Sequence, residues 1–512
     1  MNRRRLRKLA VTAAAVLAFL LACRLTGVSF SRFWARRDHL GDVFGRMLSP
    51  DWPYFFRVLD PLWATVQMSV TGTALGAFLA LFFAPLCSAC TGAPRAVRTI
   101  LRFLIQLLRS FPTLILALAA TFLFGLGTFA GTVAILLYTF AIVTRLTYED
   151  IETADLSAWN ALRAMGCSGG KAYFRAVVPG IATGYLSNTL YLLETNVRHS
   201  AILGYVGAGG IGLLLNEKIS WKEYDRVAVI LIALFFAVCL IEMLSTWLIS
   251  LVLGERRIPR RALRLLLAAL AALFIFCTVT LNPPDFSRTS LQTVKNMLGG
   301  FLHPDWSFVL QTDHGGLGYL LLETVCIAFA GTVFGALLSL PLSFFGSARL
   351  MPKPVAVLFR IAVMAIRSVP FLIYGIIFIR VTGPGAFTGV LTMAVCSVGL
   401  LSKRFSEAID ALDLRPFQAL KAMGVSPLLR IRHAVLPQLM PALASAVLYR
   451  FDVNTREASV LGIVGAGGIG APLVFAMNHY QWSTAGAISL GLILIVWLID
   501  ILSGRVRYKR TT

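Results

Sequence analysis

Long apolar runs, separated by short polar or basic stretches, alternate along the whole chain. A helix needs about 20 apolar residues to cross the hydrocarbon core of a bilayer. By that measure the pattern predicts six spans in the first half, near residues 9–25, 64–89, 99–125, 129–146, 181–204 and 226–253. It predicts six more in the second half, near 263–281, 318–346, 355–381, 385–402, 438–463 and 484–503. The fifth span of each half is the weakest, because it contains charges. The expected fold class is an all-α membrane protein with about 12 transmembrane helices.

Composition strengthens this reading. Of the 512 residues 57% are hydrophobic and only 14% charged, against roughly 25% charged in a soluble domain. The balance is basic, 47 Lys+Arg against 24 Asp+Glu, a net charge of +23. Position explains the excess. Arg3, Arg4, Arg5, Arg7 and Lys8 precede span one; Arg95, Arg98 and Arg102 follow span two; Arg163, Lys171 and Arg175 follow span four. Arg256, Arg257, Arg260 and Arg261 join the halves. Arg349, Lys353 and Arg360, then Lys403 to Arg432, then Arg505, Arg507, Lys509 and Arg510 repeat the arrangement. With twelve spans all of these fall on one side. The positive-inside rule makes that side, and both termini, cytoplasmic. The partner implied is the lipid bilayer, and nucleic acid is not needed to explain the charge.

Leu20-Leu21-Ala22-Cys23 resembles a lipoprotein cleavage box, but a similar basic-then-apolar segment recurs at Arg260 to Leu281, so the first run is read as an uncleaved span. The eight cysteines read as small buried hydrophobes. Cys87 and Cys90 have C-x-x-C spacing without the context of a redox or metal site.

The chain repeats itself. Asp155–Gly212 aligns without a gap with Asp413–Gly470 at an offset of 258. Arg109-Ser110-Phe111-Pro112 matches Arg367-Ser368-Val369-Pro370 at the same offset, and the motif reads as a kink in a pathway helix. Gly72-Thr73 and Gly76 match Gly331-Thr332 and Gly335 at an offset one larger. Each half holds an even number of spans, so the halves are parallel repeats about an axis along the membrane normal. The expected division is 1–258 and 259–512, with a solute pathway between the halves.

Between spans four and five each half carries a polar stretch of helical character, about 155–179 and 413–437. Gly166 and Gly424 are placed to end a helix in the left-handed conformation. Ser168 and Ser426 are placed as the next N-caps, with Pro427 at the first helical position. Ala161, Arg163, Gly166, Ser168 and Pro179 in the first copy correspond to Ala419, Lys421, Gly424, Ser426 and Pro437 in the second. The pattern Ala-x-x-x-x-Gly, a dozen residues, then Pro resembles the cytoplasmic coupling loop of ABC importer permeases, which docks on the ATPase subunit. That family's loop usually has Glu before the Ala, where this chain has Asn160 and Gln418.

Gly207, Gly209 and Gly212, and Gly465, Gly467 and Gly470, fit G-x-G-x-x-G. Each follows a long apolar helical run rather than a strand, so close backbone packing is expected in place of a dinucleotide. Gly166 to Ala172 imitates a phosphate loop with the wrong glycine spacing and with Ala for Ser/Thr. No ATPase motif is present, so the chain reads as a translocation subunit without enzymatic activity.

The charged fifth spans contain Glu194-Thr-Asn196-Val-Arg198 and Asp452-Val-Asn454-Thr-Arg456. A central charge costs at least about 2.5–3.5 kcal/mol on insertion scales. The acid and the arginine are i,i+4 neighbours on one face. Two readings stand: self-neutralising pairs of Glu194 and Asp452 with their arginines, or arginines presented with Asn196 and Asn454 to an oxyanion in the pathway.

Asn-x-Arg followed by Leu-Gly-x-Val-Gly-Ala-Gly-Gly-Ile-Gly is similar to permeases of the phosphonate/phosphite/phosphate type within the ABC importer superfamily. This chain resembles a tandem fusion of two such halves, with a type I importer fold of two parallel six-helix repeats. The resemblance implies two ATPase subunits carrying ATP-Mg, an extracytoplasmic solute-binding protein, no cofactor on this chain and no need for a permease homodimer. A methionine-type or other small-solute ABC importer permease, and a secondary transporter or channel, are the alternatives.

Overall fold

The computed structural model describes residues 3–252, 259–283 and 291–511; Arg256 and Arg257 of the joining basic cluster lie outside the described residues. All regular structure among the described residues is helical. The principal helices of the first repeat are α1 (Arg3–Leu25), α2 (Phe55–Cys87), α3 (Arg95–Ser110), α4 (Thr113–Phe124) and α5 (Thr128–Thr153). They continue with α6 (Ser157–Ala164), α7 (Val178–Leu203), α8 (Ile211–Ser220) and α9 (Tyr224–Val252). The second repeat runs α10 (Arg260–Val279), α11 (Leu317–Gly346), α12 (Lys353–Ser368), α13 (Phe371–Thr382), α14 (Ala386–Asp410) and α15 (Arg415–Ala422). It ends with α16 (Leu436–Leu461), α17 (Gly470–Asn478) and α18 (Trp482–Thr511). Short helical turns fill several connections.

Seven helical stretches are long and apolar enough to cross a membrane among the described residues, and nine are if each of two bent pairs forms one span. The other expected spans also fold as helices. α1 and α10 keep shorter apolar stretches, Ala13–Leu25 and Ala268–Val279. α7 is 26 residues long but carries Glu194 and Arg198.

The third span of each half bends where the sequence places a kink, and does so close to a right angle. α3 and α4 meet at 95°, and α12 and α13 at 84°. The break falls on Arg-Ser-x-Pro. Proline disfavours helical backbone in the residue before it, and Phe111 (φ −77°, ψ 129°) and Val369 (φ −75°, ψ 123°) are extended. Ser110 and Ser368 turn their hydroxyls back to the carbonyls of Gln106 (2.9 Å) and Ala365 (2.8 Å). α3 exposes an apolar face of Val97, Ile100, Phe103 and Leu104.

Small residues set the helix packing. A Cβ on Gly72 would lie 2.8 Å from Ile135 Cβ, and one on Gly76 would lie 2.7 Å from the Leu136 carbonyl oxygen. At Gly331 and Gly335 the obstacles are Met393 Cβ and Ser397 Cβ, both at 2.4 Å. Without side chains there, α2 lies directly on α5, and α11 on α14.

The compact units do not coincide with the sequence repeats. One is Gly45–Lys295; the other joins Met1–Phe44 to Asn296–Thr512. In the first unit α10 packs on α2: Gln67 Nε2 donates to the Cys277 carbonyl and to Thr280 Oγ1, each at 2.8 Å. In the second, Ala22 of α1 is buried with Ile327, Val390 and Leu461, and Phe19 meets Phe334 edge-on at 5.2 Å. The leading helix of each repeat thus packs on the main body of the other. The division at 258 follows the duplication, whereas the packing follows this exchange.

A duplicated arginine latch closes the far end of each helix group. Arg102 Nε donates to the Cys87 carbonyl at 2.7 Å, and its guanidinium also pairs with Glu152 and lies 4.6 Å from the Tyr148 ring centre. Arg360 Nε donates to the Gly346 carbonyl (2.8 Å) and Nη2 to Asp410 (2.9 Å). Each arginine caps the C-terminus of α2 or α11 and ties it to α5 or α14. These latches are half-exposed, so Arg102→Gln or Arg360→Gln should cost only about 1 kcal/mol. A thermal-shift assay in detergent is expected to show a small drop for each variant and a nearly additive one for the pair.

Candidate functional site

The polar cluster of the first repeat sits in the C-terminal half of α7. Glu194 Oε1 accepts Arg198 Nη1 at 2.7 Å, with the carboxylate side chain only 8% exposed and the guanidinium 13%. In α16 Asp452 Oδ2 accepts Arg456 Nη2 at 2.5 Å. The helical spacing delivers both pairs, and mutual neutralisation lowers the cost of holding them in an apolar span.

The asparagines occupy a different place from the one expected. Asn196 Nδ2 donates to Thr73 Oγ1 and Thr139 Oγ1, both at 2.8 Å. Asn454 Nδ2 donates to Thr332 Oγ1 (2.7 Å) and Ser397 Oγ (2.8 Å). Both asparagines are fully buried. With both amide hydrogens committed, they tie α7 to α2 and α5, and α16 to α11 and α14. They are not donors presented to a solute in this conformation. The glycines of α2 and α11 are the reason: close helix approach brings Thr73 and Thr332 within reach.

A third buried cation escaped the sequence reading. Arg450, 4% exposed, donates from Nη2 to Glu457 Oε2 at 2.9 Å and from Nε to Ser397 Oγ at 3.2 Å. Leu192 and His199 stand at the matching positions of α7, and His199 meets the Tyr138 ring edge-on at 5.8 Å. The available signal was Arg450 and Glu457 seven residues apart, two turns along one face. It was easily missed because the first repeat lacks it.

The connecting loop is built from α6 and α15. Asp155 Oδ1 accepts the Ser157 N–H at 2.9 Å, which holds its carboxyl below the usual carboxylate range. Asp413 Oδ1 likewise accepts the Arg415 N–H at 3.0 Å, at the start of α15. Gly166 and Gly424 take φ of +83° and +72°. Cys167 N–H then reaches back to the Leu162 carbonyl, and Val425 N–H to that of Leu420. Only glycine adopts this conformation without strain. Ser168 stands at the N-cap backbone position, but its hydroxyl makes no capping bond; its carbonyl accepts the Ala172 N–H.

The loop does not end at Pro179 and Pro437 as a separate helix. Residues 173–177 and 431–435 form π turns that run directly into α7 and α16, where each proline is the second residue. Tyr173 is buried with Trp159 and Ile151, and its hydroxyl donates to the Leu81 carbonyl at 3.2 Å. The turn is therefore mechanically continuous with the charged helix. Its tips are open: Met165 is 79% exposed and Met423 75%, beside exposed Asn160, Ala161 and Arg163 and exposed Gln418, Ala419 and Lys421.

At the other end of α7 the glycine-rich segment folds the chain back on itself. A Cβ on Gly204 would meet Leu213 N at 2.2 Å, and one on Gly212 the Ala201 carbonyl oxygen at 2.1 Å. Gly207, Gly209, Gly465 and Gly467 have positive φ. Thr65 Oγ1 accepts the Ile211 N–H at 2.8 Å, and Thr324 Oγ1 that of Ile469 at 3.1 Å, fastening each turn to α2 or α11.

The model of the family of binding-protein-dependent transport system inner membrane components matches residues 72–258 and again 331–508. The chain belongs to this family. The permease is 28% identical, over 479 residues, to the phosphate-import permease protein of Mycolicibacterium smegmatis, covering 92% of this chain and 89% of that one. It is 36% identical over 220 residues to a phosphite transport system permease protein of Stutzerimonas stutzeri, covering 42% of this chain and 78% of the relative. The two family matches show the permease to be a tandem fusion of two halves, with a multi-span membrane fold. Each match takes in the Asn-x-Arg helix, the loop and the glycine turn of its half.

Proposed function

We propose that this permease is the translocation subunit of an ATP-driven importer for phosphonate or a related phosphorus oxyanion, phosphite or phosphate. The observation that carries this reading is the 479-residue alignment with a phosphate-import permease, which extends over both halves. The chemistry supports it. Arg198 and Arg456 stand at matching positions of the two halves, and forked guanidinium donors suit tetrahedral oxyanions. Two ATPase subunits, which carry the ATP-Mg, dock on the turns at Met165-Gly166 and Met423-Gly424. An extracytoplasmic binding protein delivers the solute to the opposite side. The permease lies in a bacterial inner membrane with both termini cytoplasmic, and its fused halves replace a homodimer.

Closure of the ATPases moves the two turns. Arg198 lies twenty residues beyond the start of α7, about 30 Å along a continuous helix. Motion at Gly166 is therefore delivered to the Glu194–Arg198 pair through the π turn rather than absorbed in a loose loop. Uptake of labelled phosphate by cells that depend on this system, in competition with methylphosphonate, phosphite and methionine, tests the reading. Inhibition by the phosphorus oxyanions and none by methionine is expected. Competition by methionine alone would overturn it.

A further inference from the structure

Pro-Asp-Trp occurs twice, at Pro50-Asp51-Trp52 and Pro304-Asp305-Trp306, each ahead of the long helix α2 or α11. The two motifs make the same backbone contact. Asp51 N–H donates to the Asp225 carbonyl and Asp305 N–H to the Ser483 carbonyl, and residues 225 and 483 are repeat counterparts at the offset of 258. Their side chains differ in what they meet next.

In the first repeat the site is filled by the chain's own cations. Arg226 Nε donates to Asp51 Oδ2 at 3.1 Å, and its guanidinium lies 5.3 Å from the Tyr54 ring centre. Lys218, whose side chain is only 6% exposed, pairs with Glu217 (2.9 Å) and Glu223 (3.2 Å) and lies 4.2 Å from the Trp221 ring centre. In the second repeat Thr484 replaces Arg226, Ala476 replaces Lys218, Gln481 replaces Glu223 and Phe308 replaces Tyr54. The backbone frame is kept and both cations are gone. A cavity of about 620 Å³ remains, lined by Asp305, Phe308, Gln311, Phe475, Gln481 and Thr484 among others.

The Asp305 carboxylate is anionic. Hydrogen bonds from the Ser307 hydroxyl, from the Ser307 and Phe308 N–H groups and from Thr484 hold it below the usual carboxylate range. Among the described residues no basic side chain pairs with it, whereas its counterpart Asp51 holds Arg226. The first repeat thus shows what the frame accommodates: a long cationic side chain between a carboxylate and aromatic rings.

We propose that this second-repeat cavity receives a lysine or arginine side chain of the extracytoplasmic solute-binding protein, restoring from outside the ion pair that the first repeat makes internally. The inference rests on the importer reading for its orientation. The cavity is lined by α17, which follows the C-terminal end of α16 remote from the coupling turn at Gly424, and that end faces the extracytoplasmic side in the importer reading. The asymmetry gives a fused permease something a homodimer lacks: one half closed by its own charges and one half open to a basic contact, so the binding protein docks in a single orientation.

The test uses the complete complex in nanodiscs and the solute-binding protein that supports uptake, with docking read by binding titration and by stimulated ATPase activity. Asp305→Asn is expected to weaken docking about tenfold and to reduce its salt dependence. Thr484→Arg, which supplies the missing cation internally, is expected to weaken docking at least as much. Asp305→Lys should be rescued by a Lys→Glu or Arg→Glu change at one basic position of the binding protein. Docking of normal affinity and salt dependence in both Asp305→Asn and Thr484→Arg would overturn the proposal. So would failure of every basic position of the binding protein to rescue Asp305→Lys. These readouts do not depend on which solute is carried. A methionine importer that passes them retains the docking site and loses only the substrate reading.

Discussion

A complex carrying Arg198→Ala with Arg456→Ala is expected to lose at least about a hundredfold in phosphorus-oxyanion uptake. Hydrogen bonds to charged groups contribute about 1.5–3 kcal/mol each, so losing two guanidinium groups from a translocating oxyanion is a loss of several kcal/mol. The same variant also damages the fold. Glu194 and Asp452 are almost completely buried beside their arginines, and removing one partner of a buried pair costs about 3–5 kcal/mol. A second variant separates the two effects. Glu194→Gln with Arg198→Gln, together with Asp452→Asn and Arg456→Gln, removes both charges of each pair and leaves polar, hydrogen-bonding side chains. It is expected to assemble with its ATPases at near-normal yield and still fail in uptake. If the charge-free variant transports normally, the arginines serve only to neutralise their neighbours.

Gly212→Ala alone is expected to abolish folded permease. The added methyl would stand 2.1 Å from the Ala201 carbonyl oxygen, 3.0 Å from that carbonyl carbon and 3.1 Å from Gly204 Cα. All three obstacles are backbone, so no rotamer change relieves the clash. Overpacking usually costs 1–3 kcal/mol, and more where the surroundings cannot move. Gly470→Ala meets the same geometry at the Ser459 carbonyl oxygen, 2.4 Å away. Gly180→Ala is the contrast: it lies in α7 with nothing within 4 Å of the added methyl. A neutral or slightly stabilising effect is expected there, because alanine is the better helix former by about 1 kcal/mol. Monodisperse yield on detergent size-exclusion chromatography checks both. Normal yield for Gly212→Ala would show that the turn is not held as tightly as these distances require.

The residues that were legible have local signatures. Gly166 and Gly424 were readable as left-handed caps because a helix that ends and restarts within a few residues leaves a characteristic spacing. Glu194 and Arg198 were readable as a pair because four residues along one helix set their separation. Asn196 was misplaced because its role depends on Thr73 and Thr139, 123 and 57 residues away. Arg450 was overlooked because comparison of the repeats favours what the halves share, and this ion pair belongs to one of them. Arg102 and Arg360 read only as positive-inside charges, although each also caps a helix.

The sequence by itself determined the helical membrane fold, the duplication, the glycine turn of the connecting loop and the permease family. These follow from hydrophobic period, fixed offset and turn chemistry, all carried by neighbouring residues. Only the tertiary structure decided that α1 and α10 pack on the opposite repeats, that the third spans break near a right angle, and that the asparagines join helices. It alone showed that one Pro-Asp-Trp frame is filled by its own cations while the other stands open. Each of these depends on which distant side chains and backbone surfaces meet, and two parallel repeats of similar sequence allow more than one such pairing.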